Sequence, residues 1–271
     1  MPVYCFYFVV HILPVCAAVD IGRYRIMRKI LSRVRRAVED YKMIEKGDRI
    51  AVGLSGGKDS LSALSVMKRL REFYPNEFSL CAVTIDLGLG ADFSPLKDYC
   101  ESLGIEYSIK KTDIGQILFE HRKEPNPCSL CAKMRRGSLG EAAKELGCNK
   151  VALGHHGDDA IETFFLSMFY EGRLHCFSPT TYLSRTDLTQ IRPLIYVSEN
   201  EIRRFVGCAG LPVVENTCPA NGNTRRQYIK DLIKKLDEEN PGLKARMYGA
   251  IQRGRIGGFS DENVFTMPKL F

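Results

Sequence analysis

The chain has 271 residues, with 39 Lys and Arg against 32 Asp and Glu, a net charge of +7, ten cysteines and no tryptophan. A hydrophobic fraction of 45% and a charged fraction of 26% exclude disordered and collagen-like classes. Ten cysteines in a chain this long favour reduced thiols or a metal site over a disulfide scaffold, and the basic balance admits a polyanionic partner without requiring one.

Residues 2–19 carry no Lys, Arg, Asp or Glu. There is no basic segment ahead of this apolar run, and it contains His11 and Pro14. Residues 1–26 are therefore read as an apolar extension with the working start near Met27, in preference to a membrane anchor or a secretory signal. Next, Ile26, Ile30, Val34, Val38 and Tyr41 form a stripe at spacings of three and four, which predicts an amphipathic helix. Its other face carries Arg28, Lys29, Arg33, Arg35 and Arg36, either a solvated face or a phosphate-contacting one.

Residues 49–54 are a short apolar run rich in β-branched residues and predict a strand that ends at Ser-Gly-Gly-Lys-Asp-Ser. A helix over 61–73, a strand over 79–86, a helix over 93–104 and a strand over 105–112 follow. A helix over 134–147 and a strand over 150–156 repeat the pattern. Strands alternating with helices imply an α/β fold, a parallel sheet with helices on both faces. In such sheets ligands sit beyond the carboxyl ends of the strands. The last third is less regular, with a helix over 225–239 ended by Asn240-Pro241-Gly242. The expected organisation is an N-terminal basic helix over 27–48, a catalytic α/β domain over 49–200, and a C-terminal helical and loop segment over 201–271.

Three motifs carry chemistry. In Ser55-Gly56-Gly57-Lys58-Asp59-Ser60, two glycines let the backbone turn and approach a ligand closely. The following helix start offers free N–H groups to an anion, with Lys58 and two hydroxyls beside them. This is a pyrophosphate cradle with a spacing different from that of the Walker loop. Gly154-His155-His156-Gly157-Asp158-Asp159 also follows a strand; an aspartate there suits a helix cap, a Mg²⁺ ligand, or both, with Asp159 favoured over Asp158 for the metal. Asp86, at the end of the second strand, is a nucleotide-site candidate against the competing reading of a strand-end turn. Cys128 and Cys131 form a CxxC able to hold a metal or cluster or to form a redox disulfide. Cys218 lies in a polar, loop-like segment, unlike Cys81, Cys100, Cys148 and Cys208, which read as core residues.

Together, SGGKDS, CSLCAKMRRG, LGHHGDDAIETFFLSMFYEG, IRPLIYVSENEIRRF and a late cysteine followed by Arg225-Arg226-Gln227 resemble the tRNA 2-thiocytidine synthetase family of the PP-loop ATP pyrophosphatase superfamily. The resemblance covers roughly residues 27–253. It implies a Rossmann-like fold in which ATP, with Mg²⁺, adenylates C2 of a cytidine at tRNA position 32 and sulfur then replaces the oxygen. It assigns Ser55, Gly56, Gly57, Lys58, Asp59, Ser60, Asp86, Gly154 and His155 to the nucleotide, and catalysis to Lys58, Asp59 and Asp159. It also implies a [4Fe–4S] cluster on three thiolates, Cys128, Cys131 and Cys218, with one iron left for the transferred sulfur. Many members carry a second late CxxC, whereas Glu215 stands three residues before Cys218 here. The implied partners are tRNA at its anticodon loop and a sulfur donor such as a cysteine desulfurase. A homodimer is left open, no stable membrane partner is expected, and the implied location is cytoplasmic because cluster and thiols need reducing conditions. Under this reading the basic helix face and Arg225, Arg226, Lys230, Lys234 and Lys235 become candidates for tRNA phosphate contacts.

The rivals are sister tRNA enzymes. A lysidine synthetase leaves the CxxC unexplained, and a 2-thiouridine synthetase with zinc ribbons would need further CxxC pairs. A non-catalytic nucleotide or iron–sulfur binding module leaves the two intact loop motifs without a role.

Overall fold

The computed structural model describes residues 13–122, 127–215, 217–219, 225–256 and 259. The first twelve residues of the expected leader lie outside that range. The elements in order are α1 (Leu13–Asp40), β1 (Arg49–Gly53), α2 (Lys58–Arg71), β2 (Ser79–Asp86), α3 (Ser94–Ser102), β3 (Glu106–Lys111) and α4 (Ile114–Gln116), which runs into a π turn at Ile117–His121. Next come α5 (Pro127–Glu145), β4 (Lys150–Ala152), α6 (Gly157–Leu166) with a π turn at Ser167–Glu171, β5 (Thr180–Leu183) and β6 (Leu188–Ile191). The chain closes with a 3₁₀ turn at Pro193–Tyr196, α7 (Glu199–Ala209), α8 (Arg225–Glu239) and α9 (Leu243–Arg253).

The six strands form one sheet in the order β3-β2-β1-β4-β6-β5. All neighbours are parallel except the edge pair β5–β6. The order reverses between β1 and β4, so the crevice for a ligand opens beyond their carboxyl ends. Side-chain alternation splits the core between the two faces. Ile50, Val52, Leu80 and Ala82 join the larger cluster, with Ile30, Val34, Leu61, Leu64, Ile202, Phe205, Ile229 and Tyr248. Ala51, Cys81 and Val83 point the other way and meet Leu139, Ala142 and Ala143 of α5. Helices therefore cover both faces, as the unbroken apolar strands require.

The predicted apolar stripe is buried from Ile30 through Tyr41. Two expected boundaries fall inside helices, because core contacts run across them: residue 26 lies within α1 and residue 200 within α7. The fifth helix is already formed at Pro127, so it extends ahead of the expected start at 134. Among the four cysteines expected in the core, Cys81, Cys100 and Cys148 are buried. Cys208 is exposed: it lies on the outer side of α7, whose inward positions are taken by Ile202 and Phe205. No helix among the described residues is long and apolar enough to cross a membrane.

Candidate active site at the ends of β1 and β4

The first loop leaves β1 and turns at Gly56, whose φ of +81° suits glycine. A Cβ there would lie 2.9 Å from that of Val214. The Gly56 carbonyl accepts a hydrogen bond from the Val214 N–H at 3.0 Å, fastening the segment that leads to Cys218 onto this loop. The hydroxyls tie the loop to itself. Ser60 Oγ accepts from the Ser55 N–H at 3.1 Å and donates to the Gly57 carbonyl at 2.9 Å. Ser55 Oγ in turn donates to Ser60 Oγ at 3.1 Å. No side chain caps α2, so its first N–H groups remain available to an anion.

Lys58 Nζ lies 2.9 Å from Asp59 Oδ2 and 3.1 Å from Glu199 Oε1. Burial works against its charge, but these two carboxylates outweigh it and raise the ammonium pKa. Glu199 is a buried hub: Lys230 and Arg203 also reach its Oε1, at 2.7 and 2.9 Å. Burial alone would raise its pKa, yet Lys230 and Lys58 hold it down at about 2.

The second loop leaves β4 and packs directly on the first. A Cβ on Gly154 would meet the Asp59 carbonyl carbon and oxygen at 2.8 Å and the Ser60 nitrogen at 2.9 Å. His156 and Asp159 close a reciprocal cap on α6: the Asp159 N–H donates to His156 Nδ1, and the His156 N–H donates to Asp159 Oδ2 at 3.0 Å. The same imidazole brings two carboxylates together, Nε2 lying 3.6 Å from Asp59 Oδ1 and 3.5 Å from Asp159 Oδ2. Asp59 Oδ1 is buried with no hydrogen-bond partner among the described residues. Burial would raise the Asp159 pKa; the histidine rings, the His156 N–H and Arg226 overcome it and lower it. Asp158 faces away, accepting from the Glu199 N–H at 2.8 Å and from Lys244 Nζ at 2.9 Å. His155 rests 5.2 Å from the Phe177 ring. Burial drives its pKa down to about 4, so the ring is neutral near pH 7.

Cys128, Cys131 and Cys218 line one cavity of about 430 Å³ together with Lys58, Asp59, Asp159, Glu162, Glu199, Arg226 and Lys230. The CxxC lies on α5, where an i, i+3 spacing puts both thiols on one side. Burial pushes the Cys131 thiol up, Arg135 opposes this, and the Cys218 and Cys128 thiols add to it. Among the described residues no group of three or more His, Cys, Asp or Glu closes around a single ion. Three cysteine thiols lining one void are the kind of soft donor set that thiophilic metals and iron–sulfur clusters take.

Two further cavities adjoin this one. One, of about 390 Å³, is lined by Ser55, Asp59, Ser60, Gly154, His155 and Asp159. The other, of about 190 Å³, is lined by Ser55, Gly57, Asp86 and Cys218. Arg135 lines all three. Asp86 also fills the turn role, its Oδ1 accepting from the Gly88 N–H at 2.9 Å. The structure therefore gathers the motif residues at one crevice and adds Arg135, Glu162 and Glu199. Arg135 was legible as the residue four after Cys131, on the same helical side; Glu199 had no local signal.

The expected phosphate contacts divide. Arg226 lies 3.1 Å from Glu162 and 3.7 Å from Asp159, so with Lys230 it belongs to the cavity. Lys234 and Lys235 sit on the exposed side of α8 opposite Glu238 and Glu239. On α1, Lys29 and Arg33 pair with Glu201, and Arg35 with Glu39.

Strand order, glycine cradle and the second loop define a class, and residues 25–236 match the PP-loop domain family. Similar relatives include a tRNA-cytidine(32) 2-sulfurtransferase from Pelobacter propionicus, 44% identical over 230 residues, covering 83% of this chain and 86% of that protein. Another of the same name, from Serratia proteamaculans, is 39% identical over 244 residues, covering 89% and 79%. The chain belongs to the tRNA-cytidine(32) 2-sulfurtransferase family. Its fold is also that of the U34-tRNA thiolase NcsA from Methanococcus maripaludis, solved with its [4Fe–4S] cluster, at a TM-score of 0.70, 23% identity and coverage of 85% of this chain and 79% of that one.

Proposed function

We infer that the protein is an ATP-dependent tRNA sulfurtransferase that converts cytidine 32 to 2-thiocytidine. The observation that carries this reading is the shared cavity: three thiols and the Lys58–Asp59–Asp159 group face one space at the mouth of the PP-loop. The oxygen on C2 is a poor leaving group. It attacks the α-phosphorus of ATP, pyrophosphate leaves, sulfur then adds at C2, and AMP departs with the former oxygen.

The N–H groups at the start of α2 and Lys58 would hold the departing phosphates, stabilising charge as it develops. Asp59 and Asp159 are the proposed Mg²⁺ ligands. Two carboxylates fit that ion, which takes one or two from protein and the rest from substrate phosphates and water. Cys128, Cys131 and Cys218 would hold a [4Fe–4S] cluster, which when bound supplies a site for the sulfur to be transferred. Neutral His155 offers an uncharged ring to the loop pocket, with the Phe177 ring packed beside it. The proposal includes a sulfur donor such as a cysteine desulfurase and a reducing, cytoplasmic setting.

The test is mass spectrometry of tRNA nucleosides from cells lacking the protein. Loss of 2-thiocytidine, restored by the wild-type chain, is expected; loss of 2-thiouridine or lysidine instead would move the activity to a sister reaction.

A further inference from the structure

The helix that carries Asp159 and Glu162 into the cavity ends in a π turn at Ser167–Glu171, closed by Gly172 at φ +64°. Single π turns within helices concentrate at functional sites. This one holds two aromatic rings out to solvent, Phe169 at 48% exposure and Tyr170 at 42%. Phe169 is fixed from below by Phe165, ring centroids 5.6 Å apart and edge-on. On α8, which packs against α6, Tyr228 is also open to solvent at 59% exposure. One turn earlier on the same helical side, the Arg225 guanidinium lies 4.7 Å from the Tyr170 ring centroid, joining the two elements. The next residue, Arg226, donates to Glu162 and Thr163 and lines the cavity. The aromatic patch and the cavity mouth thus lie on adjoining sides of the same helix pair. Seven residues separate Glu162 from Phe169, about 10 Å along a helix, or about three stacked nucleotides.

We propose that Phe169, Tyr170 and Tyr228 form a stacking platform for unpaired RNA bases next to the nucleotide that enters the cavity, with Arg225 holding the Tyr170 ring and meeting the backbone. The proposal rests on the tRNA reading above and says where the loop docks. Its chemistry favours RNA over a protein partner: flat rings interleaved with guanidinium groups are how unpaired bases are held, and a target base must be splayed from its loop to reach C2.

The test uses full-length protein loaded with its cofactors and a fluorescently labelled anticodon stem-loop, read by anisotropy. Phe169→Ala, Tyr170→Ala and Tyr228→Ala should each weaken binding by roughly 5- to 150-fold per stacked base lost. Tyr228→Phe should retain the affinity, and a blunt duplex of equal charge should bind every variant alike. Equal binding of the stem-loop by the wild type and all three alanine variants overturns the platform. Light scattering that shows a wild-type dimer falling to a monomer in these variants also overturns it, in favour of self-association. A wild type that neither binds nor thiolates tRNA would instead defeat the sulfurtransferase reading itself. As a readout independent of substitution, 4-thiouridine placed in the loop should photo-crosslink to the segment 169–174 of the wild-type chain.

Discussion

Lys58 and Glu199 meet across the active cavity, Nζ to Oε1 at 3.1 Å, although 141 positions separate them in the sequence. The contact joins the phosphate cradle to the first turn of α7. It leaves a buried carboxylate shared by Lys58, Lys230 and Arg203. Lys58→Ala should lower the thiolation rate by about 100- to 1,000-fold, the usual effect of removing a charge donor from a transition state. Single-turnover assays on purified tRNA would check this, and an unchanged rate would remove the cradle from the mechanism.

The same contact has a pH consequence. Glu199 is held at about 2 against an ordinary 4.5. Because its folded pKa is the lower one, its stabilisation is fully present above about 4.5 and fades as pH falls toward 2. Denaturant titrations at pH 7 and pH 3 should show a drop for the wild type of about 2 kcal/mol from this group. Glu199→Gln should be less stable at pH 7 and show a smaller drop. Parallel losses in both proteins would count against the hub.

Adjacent aspartates should behave differently. Asp159→Asn should abolish thiolation while costing about 1 kcal/mol of stability through its share in the helix cap. Asp158→Asn should cost about 1–3 kcal/mol by weakening buried bonds to the Glu199 amide and Lys244, with activity surviving in the folded fraction. Thermal melts and rates measured on the same preparations separate the two outcomes.

Gly154→Ala tests the contact between the loops. Its methyl would collide with the backbone of Asp59 and Ser60, so one loop must move. A loss of about 1–3 kcal/mol in stability, as for other overpacked sites, should accompany a marked loss of ATP binding by calorimetry. Unaltered ATP affinity would show that the cradle tolerates the shift.

The cysteines divide by position. Serine at Cys128, Cys131 or Cys218 should prevent a brown, visibly absorbing protein from forming on anaerobic reconstitution with iron and sulfide, and should stop thiolation. Serine at Cys100, buried away from the cavity, should leave the colour intact. A colourless wild type holding one zinc would sink the cluster assignment.

Much of the site was readable because its determinants are local. Glycines at a strand end, an Asp-Asp pair at a helix start and a CxxC each announce themselves within a few residues. The strand over 79–86 matched both its observed limits, and the helix over 225–239 matched its end at Glu239, since both have clear periodicity and punctuation. The hairpin of β5 and β6 did not, as four-residue strands carry too little pattern to read. Nor did Glu199: it reads as an ordinary first-turn acid after Ser198 and becomes a hub only through cations brought from α2 and α8. Cys208 shows the reverse error, an apolar-looking context that the helix turns outward.

The Gly56–Val214 hydrogen bond docks the chain that leads to Cys218 on the turn of the phosphate loop. Val214 also fills the space that a Cβ at position 56 would need. A side chain larger than glycine at that position would therefore strain the turn and press on the chain before the third thiol at once, so one small residue serves two motifs that lie far apart in the sequence.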